Sequence, residues 1–345
     1  MTGTALLGVS MACEASFAPD LARRAEAAGF DQVWTTEFYN RSATVPLGAM
    51  AAVTERVGLG SAIAFAFARR PIMLAAEARD IDELSGGRLT LGLGTAEPDR
   101  IRRWFGLDAD HPAARMEELT GLLRDLWAVD EHPVRHDGRF YSTHVDPVGP
   151  VAAPVRSQIP VYLAALGPRM VAAAGTVGDG LVCHPFVTDA YLRDVVHPML
   201  EQGLRRRQRP GRPRLASIVI TTVHERSEVA RREAAVQIAF YGTFPTFDVI
   251  FRHHGFEAAA ERLRSAHRAQ DWTGMVGAVT DDMIDELAIA GTPAEVRDQA
   301  AARAEHYDHL ILHTPSTMYY RPPGTGIDEG RYHENVTAIL ETFAR

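Results

Sequence analysis

Short apolar runs alternate along the chain with longer stretches in which apolar residues recur every three or four positions. The first kind of pattern reads as buried strand and the second as amphipathic helix. Strands are predicted over 5–9, 30–35, 57–65, 88–93, 160–165, 180–184, 215–223 and 309–312. Helices are predicted over 19–28, 46–56, 71–84, 112–128, 168–174, 190–207, 225–241, 292–305 and 328–343, most with Pro at the start or Gly past the end. Strand followed by helix, repeated, calls for a parallel sheet covered by helices. Eight strands fit a (β/α)8 TIM barrel, with a doubly wound open sheet as the rival. Such a barrel takes about 250 residues, so the chain is read as one TIM-barrel domain over 1–345 with insertions near 130–158, 243–290 and 313–327. The first insertion carries a hairpin turn at His136-Asp137-Gly138-Arg139-Phe140. The second reads as loosely helical, and Thr292-Pro293-Ala294-Glu295 after it has the spacing of a capping box.

One stretch organises the rest. The helix over 71–84 stops at Ser85-Gly86-Gly87-Arg88, and Leu89-Thr90-Leu91-Gly92-Leu93-Gly94 follows as a buried strand. Gly92 and Gly94 allow a second backbone or a flat ligand to come close. Polar Thr95 and Glu97 stand at the strand's carboxyl end, where parallel α/β proteins build ligand sites.

Composition narrows the chemistry. All 36 basic residues are arginine. Reactions that need a lysine at the reacting centre, such as Schiff-base aldol chemistry, pyridoxal phosphate chemistry and P-loop nucleotide hydrolysis, are therefore excluded. A bound phosphate must be held by arginine, hydroxyls or backbone amides. The net charge of -8 argues against nucleic-acid and anionic-membrane partners. With two cysteines, Cys13 and Cys183, and no apolar run of spanning length, a reducing, cytoplasmic setting is expected. Gly92-Leu93-Gly94 lacks the third glycine of a dinucleotide fingerprint. The adjacent His253 and His254 face different sides of a helix, so no metal site is expected.

Six segments in register carry a resemblance. They are Gly29-Phe30-Asp31-Gln32-Val33-Trp34-Thr35-Thr36-Glu37; Leu59-Gly60-Ser61-Ala62-Ile63-Ala64-Phe65 with Arg69-Arg70-Pro71; Ser85-Gly86-Gly87-Arg88 through Thr95; Pro160-Val161-Tyr162-Leu163-Ala164-Ala165-Leu166-Gly167-Pro168; Gly178-Asp179-Gly180-Leu181; and Gly291-Thr292-Pro293-Ala294-Glu295-Val296. Together they resemble the luciferase-like monooxygenase superfamily, in the branch that uses the deazaflavin coenzyme F420 and is similar to methylenetetrahydromethanopterin reductase. The resemblance covers nearly the whole chain and implies a TIM barrel, usually a homodimer, that transfers a hydride between F420 and a small organic substrate. An FMN-dependent monooxygenase using oxygen is the alternative on the same fold, and a barrel that binds cofactor without turnover is the third reading. Deazaflavin has carbon in place of N5 and reacts poorly with oxygen, so cofactor identity decides the reaction type.

The resemblance also implies a non-prolyl cis peptide in the third strand that supports the cofactor ring, at Ala62–Ile63 or at the neighbouring bond between Ser61 and Ala62. It places the cofactor's tail phosphate at Ala165, Leu166, Gly167 and Pro168, where a helix begins, with help from Thr95, Ala96 and Glu97. Relatives often carry an Asp or His pair where this chain has Thr36 and Glu37. Glu37 is the first candidate for proton transfer, with cofactor orientation as its other reading; His184, at the tip of the sixth strand, is the second. Arg69 and Arg70 stand where they could meet substrate or an acidic cofactor tail. Cys183 is read as packing. Tyr241, Phe244, Phe247, Phe251 and Trp272, beside or in the second insertion, either lid the pocket or pack a small core of their own.

Overall fold

The computed structural model describes residues 5–12, 14–316 and 328–345. Eight parallel strands form a closed ring: β1 (Leu6–Met11), β2 (Gln32–Thr35), β3 (Gly58–Ser61), β4 (Leu89–Gly94), β5 (Val161–Ala164), β6 (Gly180–Cys183), β7 (Arg214–Val223) and β8 (His309–His313). Each strand pairs with the next, and β8 returns to β1 with Leu6 opposite His309 and Val9 opposite Leu312. The TIM barrel is thus present and the open sheet is not. The bounds differ in detail: β1 and β8 both run past their predicted ends, to Met11 and His313. The second helix ends early, at Ala51.

Alternation along the strands separates two cores. Outward residues such as Val9, Val33, Leu59, Leu91, Leu163 and Leu312 join the main core beneath the helices. Inward residues Trp34, Tyr162, Val182, Ala216 and Ile311 form a separate cluster inside the ring. Trp34 fits because its neighbours have no side chains. A Cβ on Gly60 would lie 2.3 Å from the Trp34 ring, and one on Gly8 would lie 2.8 Å from its indole nitrogen. Gly180 leaves the same kind of space for Tyr162, at 2.5 Å. Burying a ring of roughly 200 Å² is worth on the order of 5 kcal/mol of transfer free energy, so these glycines serve the floor of the barrel. At that floor the Tyr162 hydroxyl and His309 Nε2 are 3.1 Å apart, and His309 Nδ1 is 2.7 Å from Gln32 Oε1.

The stretch at 85–97 behaves as its residues dictate. The helix Pro71–Leu84 ends at Ser85, and Gly86 and Gly87 take left-handed conformations at φ 63° and 86°. Arg88 turns back to donate to the carbonyls of Ser85, Thr54 and Val57, locking the turn to the loop before β3. Gly92 faces the backbone of β3, where an added Cβ would stand 1.8 Å from the Ser61 carbonyl oxygen. Gly94 faces the Ile63 side chain at 2.4 Å. The close approach these glycines allow is therefore that of the neighbouring strand.

The excursion after the helix Pro112–Trp127 contains the antiparallel pair Val134–Asp137 and Ser142–Val145, so the hairpin stands where its turn residues place it. The insertion after β7 is helical over Asp248–His254, Glu257–Arg268, Trp272–Gly277 and Asp281–Leu287. Its last residues are not: Ala288–Gly291 is a short strand pairing with the outer end of β7. The capping box at Thr292 and Glu295 is formed. A helix absent from the sequence reading, Pro98–Phe105, follows β4. Of the third expected insertion, residues 317–327 lie outside the described residues. No single described helix is long and apolar enough to cross a membrane.

Candidate active site

A cavity of about 430 Å³ opens at the carboxyl ends of the strands, the face where barrels of this kind carry their chemistry. One wall is the end of β3. The peptide bond Ala62–Ile63 is cis, the first of the two positions considered, and Ala64–Phe65 resumes pairing with β4 beyond it. Ala62 and Ile63 both line the cavity.

Glu37 fastens this bulge from two sides. Its backbone amide donates to the Ile63 carbonyl at 3.0 Å, and its carboxylate accepts from the Phe65 amide at 2.6 Å. The same carboxylate takes a two-pronged contact from Arg69, with Nη1 at 2.8 Å and Nη2 at 2.6 Å. Arg69 Nε in turn lies 2.9 Å from Glu77. The hydrogen bond from Arg69 to Glu37 holds the guanidinium above its ordinary pKa. Both Glu37 oxygens are engaged by donors, which suits an orienting carboxylate better than one that delivers a proton. Arg69 belongs to this clamp and does not line the cavity.

Beside the bulge, Thr95, Ala96 and Glu97 follow β4, with Ala96 in a left-handed conformation at φ 55°. Ala165, Leu166 and Gly167 follow β5 and also line the cavity, whereas Pro168 is the first residue of the helix behind them. Helices Pro98–Phe105 and Pro168–Val177 both begin at this rim, and neither has a side chain capping its first amides. Uncapped amides at two helix starts are a fit for a phosphate, one of the ways open to a chain without lysine. Thr36 lines the cavity beside Glu37. Ser61 does not: its buried hydroxyl donates to the Gly92 carbonyl and accepts from the Gly92 amide, joining β3 to β4.

His184 reaches the cavity from β6. Its Nδ1 accepts from the Phe186 amide at 3.2 Å, so a neutral ring carries its proton on Nε2. The ring stacks on Phe247 at 4.4 Å and meets Tyr241 edge-on at 4.7 Å. Burial, with a smaller contribution from His313, pushes its pKa down to about 3. His184 is therefore a neutral hydrogen-bond donor at neutral pH. Cys183 beside it is wholly buried and its thiol is pushed up to about 12, which agrees with packing.

Several lining residues were missed by the sequence reading. Ser10 and His313 lie just beyond the predicted ends of their strands. Arg100 comes from the unexpected helix; it pairs with Glu97 at 3.2 Å and lies over the Phe244 ring at 4.3 Å. Of the aromatic residues noted near the second insertion, Tyr241, Phe244 and Phe247 line the cavity, while Phe251 and Trp272 do not. Among the described residues no group of three or more His, Cys, Asp or Glu is placed to hold a metal ion.

Comparison with known proteins agrees with this architecture. The chain belongs to the luciferase-like monooxygenase family, whose model matches residues 6–309. It is 34% identical over 317 residues to an uncharacterised protein of Mycobacterium tuberculosis, covering 87% of this chain and 92% of the relative. It is 30% identical over 284 residues to 5,10-methylenetetrahydromethanopterin reductase of Archaeoglobus fulgidus, covering 79% of this chain and 81% of that enzyme. Among solved structures, the coenzyme F420-dependent tetrahydromethanopterin reductase of Methanopyrus kandleri superposes with a TM-score of 0.78 at 22% identity, over 92% of this chain and 96% of that one. An FMN complex of a type II Baeyer–Villiger monooxygenase from Pseudomonas putida gives 0.69 at 14% identity, over 99% and 98%.

Proposed function

We propose that the protein is an F420-dependent oxidoreductase that moves a hydride between the deazaflavin and a small organic substrate. The observation that carries this reading is the cavity wall formed by the cis bulge at Ala62–Ile63, fastened by Glu37 and followed round the rim by two uncapped helix starts. A flat ring has the bulged backbone at Ala62 and Ile63 to lie against, and its tail phosphate can accept from free amides. When bound, F420 would supply a two-electron hydride acceptor or donor. A Mycobacterium tuberculosis relative, 29% identical over 303 residues and named a putative coenzyme F420-dependent oxidoreductase, supports this cofactor over FMN.

Within this reading each residue has a distinct task. Ala62 and Ile63 back the ring. Gly167 and its helix, with Thr95, Ala96 and Glu97, hold the tail. Glu37 is a positioning residue that keeps the bulge in place through Phe65 and Arg69, with Thr36 beside it on the cavity wall. His184 presents Nε2–H to the reacting end of the cavity from a collar of aromatic rings.

Paired titrations with F420 and FMN, followed by oxygen uptake, test the reading. F420 should bind the more tightly, and its reduced form should be stable in air on the protein. Tighter binding of FMN with oxygen consumption would instead make the chain a flavin monooxygenase. Binding of F420 with no turnover of any substrate, unaffected by Glu37→Gln and His184→Asn, would leave a cofactor-binding barrel.

A further inference from the structure

Resting on the reading of the cavity as an oxidoreductase site, we propose that its inner end accepts an uncharged substrate with one carbonyl or hydroxyl oxygen on an apolar body, and that the Ser10–His313 pair receives that oxygen. His313 is only 5% exposed, yet its Nε2 has no hydrogen-bond partner. Its other nitrogen, Nδ1, is held by the Ser10 hydroxyl at 2.6 Å. Both residues line the cavity. A buried polar nitrogen without a partner is costly, so a ligand that supplies the partner gains a hydrogen bond there.

The pair suits both oxidation states of such a substrate. When the Ser10 hydroxyl donates to Nδ1, the imidazole proton sits on Nε2 and can be given to a carbonyl oxygen. When Ser10 accepts from an Nδ1 proton, Nε2 is free to accept from a hydroxyl. Rotation of the Ser10 hydroxyl together with a shift of the imidazole proton between Nε2 and Nδ1 exchanges the two patterns, so a ketone and its alcohol find the same contact. His184, with its proton on Nε2, provides a second donor from the neighbouring side.

Charge around this end excludes ionic groups. The Glu37 carboxylate is held by Arg69 and that of Glu97 by Arg100. Both histidines are kept neutral by burial, His313 with its pKa lowered to about 4. Ile63, Val182, Ile218 and Phe247 supply apolar walls. A carboxylate or phosphate placed here would be stripped of water, and among the described residues lining the cavity no unpaired cation stands to receive it.

Calorimetric titration with three compounds of similar shape tests this: acetophenone, ethylbenzene and benzoate. The intact chain should bind acetophenone about tenfold more tightly than either of the others, the value of one net hydrogen bond near 1.4 kcal/mol. His313→Leu should remove that preference and leave ethylbenzene binding unchanged, while His313→Gln, which keeps an Nε2–H donor, should restore part of it. Thermal melts of both variants confirm folding. A preference that survives His313→Leu, or benzoate binding as tightly as acetophenone, overturns the proposal. F420 affinity is measured separately on the same samples, so failure of the cofactor reading shows in that titration and failure of the oxygen subsite shows in the ketone preference.

Discussion

His309 and His313 lie on the same strand, four residues apart, and both point into the barrel. They end in opposite situations. At the floor, His309 has both ring nitrogens engaged, by Tyr162 and by Gln32. At the mouth, His313 has one nitrogen held by Ser10 and the other without a partner. Both are buried, at 2% and 5% exposure, and both are pushed down to a pKa of about 4 by that burial. Burial and altered titration therefore do not distinguish a structural histidine from a functional one here. Completeness of each histidine's own hydrogen bonding does: His309 has both nitrogens paired among floor residues, although the Trp34 indole nitrogen beside it lacks a partner, and His313 at the mouth keeps one nitrogen for something else to complete.

The largest effect should come from filling the spaces on which each end depends. Gly60→Ala drives a methyl into Trp34, and Gly92→Ala drives one into the Ser61 carbonyl. Each should cost about 3 kcal/mol or more, read by urea unfolding. If folded protein is recovered, Gly60→Ala should keep its cofactor affinity and Gly92→Ala should lose it, because only the second disturbs the bulge.

Glu37→Gln comes next. It weakens the fork from Arg69 but leaves Arg69 its contact with Glu77. A stability loss of about 1–3 kcal/mol is expected, with cofactor affinity falling about tenfold. A large loss of kcat at unchanged cofactor affinity would instead return Glu37 to the role of proton donor.

Replacing the two histidines compares the ends directly. His309→Leu strands the Tyr162 hydroxyl and the Gln32 amide and should cost about 1–3 kcal/mol. His313→Leu removes a nitrogen that already lacks a partner, leaves only Ser10 to be resolved, and should cost about 1 kcal/mol or less. Equal losses in denaturation would erase the contrast.

The smallest effect is in pH. Both histidines bind protons more readily unfolded than folded, so the unfolded state takes up protons first as pH falls below about 6.5. The stability they contribute is complete above that value and is lost as pH falls toward about 4. At pH 6 each should account for roughly 1 kcal/mol of the loss. Each Leu variant should flatten the stability curve between pH 7 and 6 by about that amount.

Much of this was legible in the residues. The strand and helix order follows from apolar spacing, and it closes into the ring observed. The bulge at Ala62–Ile63 came from resemblance, since small residues in a strand carry no mark of a cis bond. What escaped lay at element ends, where hydrophobic pattern gives way to polar groups. Reading β1 as ending at Val9 and β8 at Leu312 left out Ser10 and His313, because an inward polar residue looks like the start of a loop. The helix Pro98–Phe105 did leave a signal: Ile101, Trp104 and Phe105 at helical spacing, then Gly106 in a left-handed C-cap. Ala288–Gly291 left none, being four small or apolar residues directly after a helix.

A crystal structure of the chain with F420 bound tests the central claim most directly. The account requires the deazaflavin ring against the Ala62–Ile63 bulge, its tail phosphate at the amides beginning the helix after Gly167, and His313 Nε2 not taken up by the cofactor. A ring bound away from the bulge, or His313 engaged by the cofactor's own tail, would contradict it.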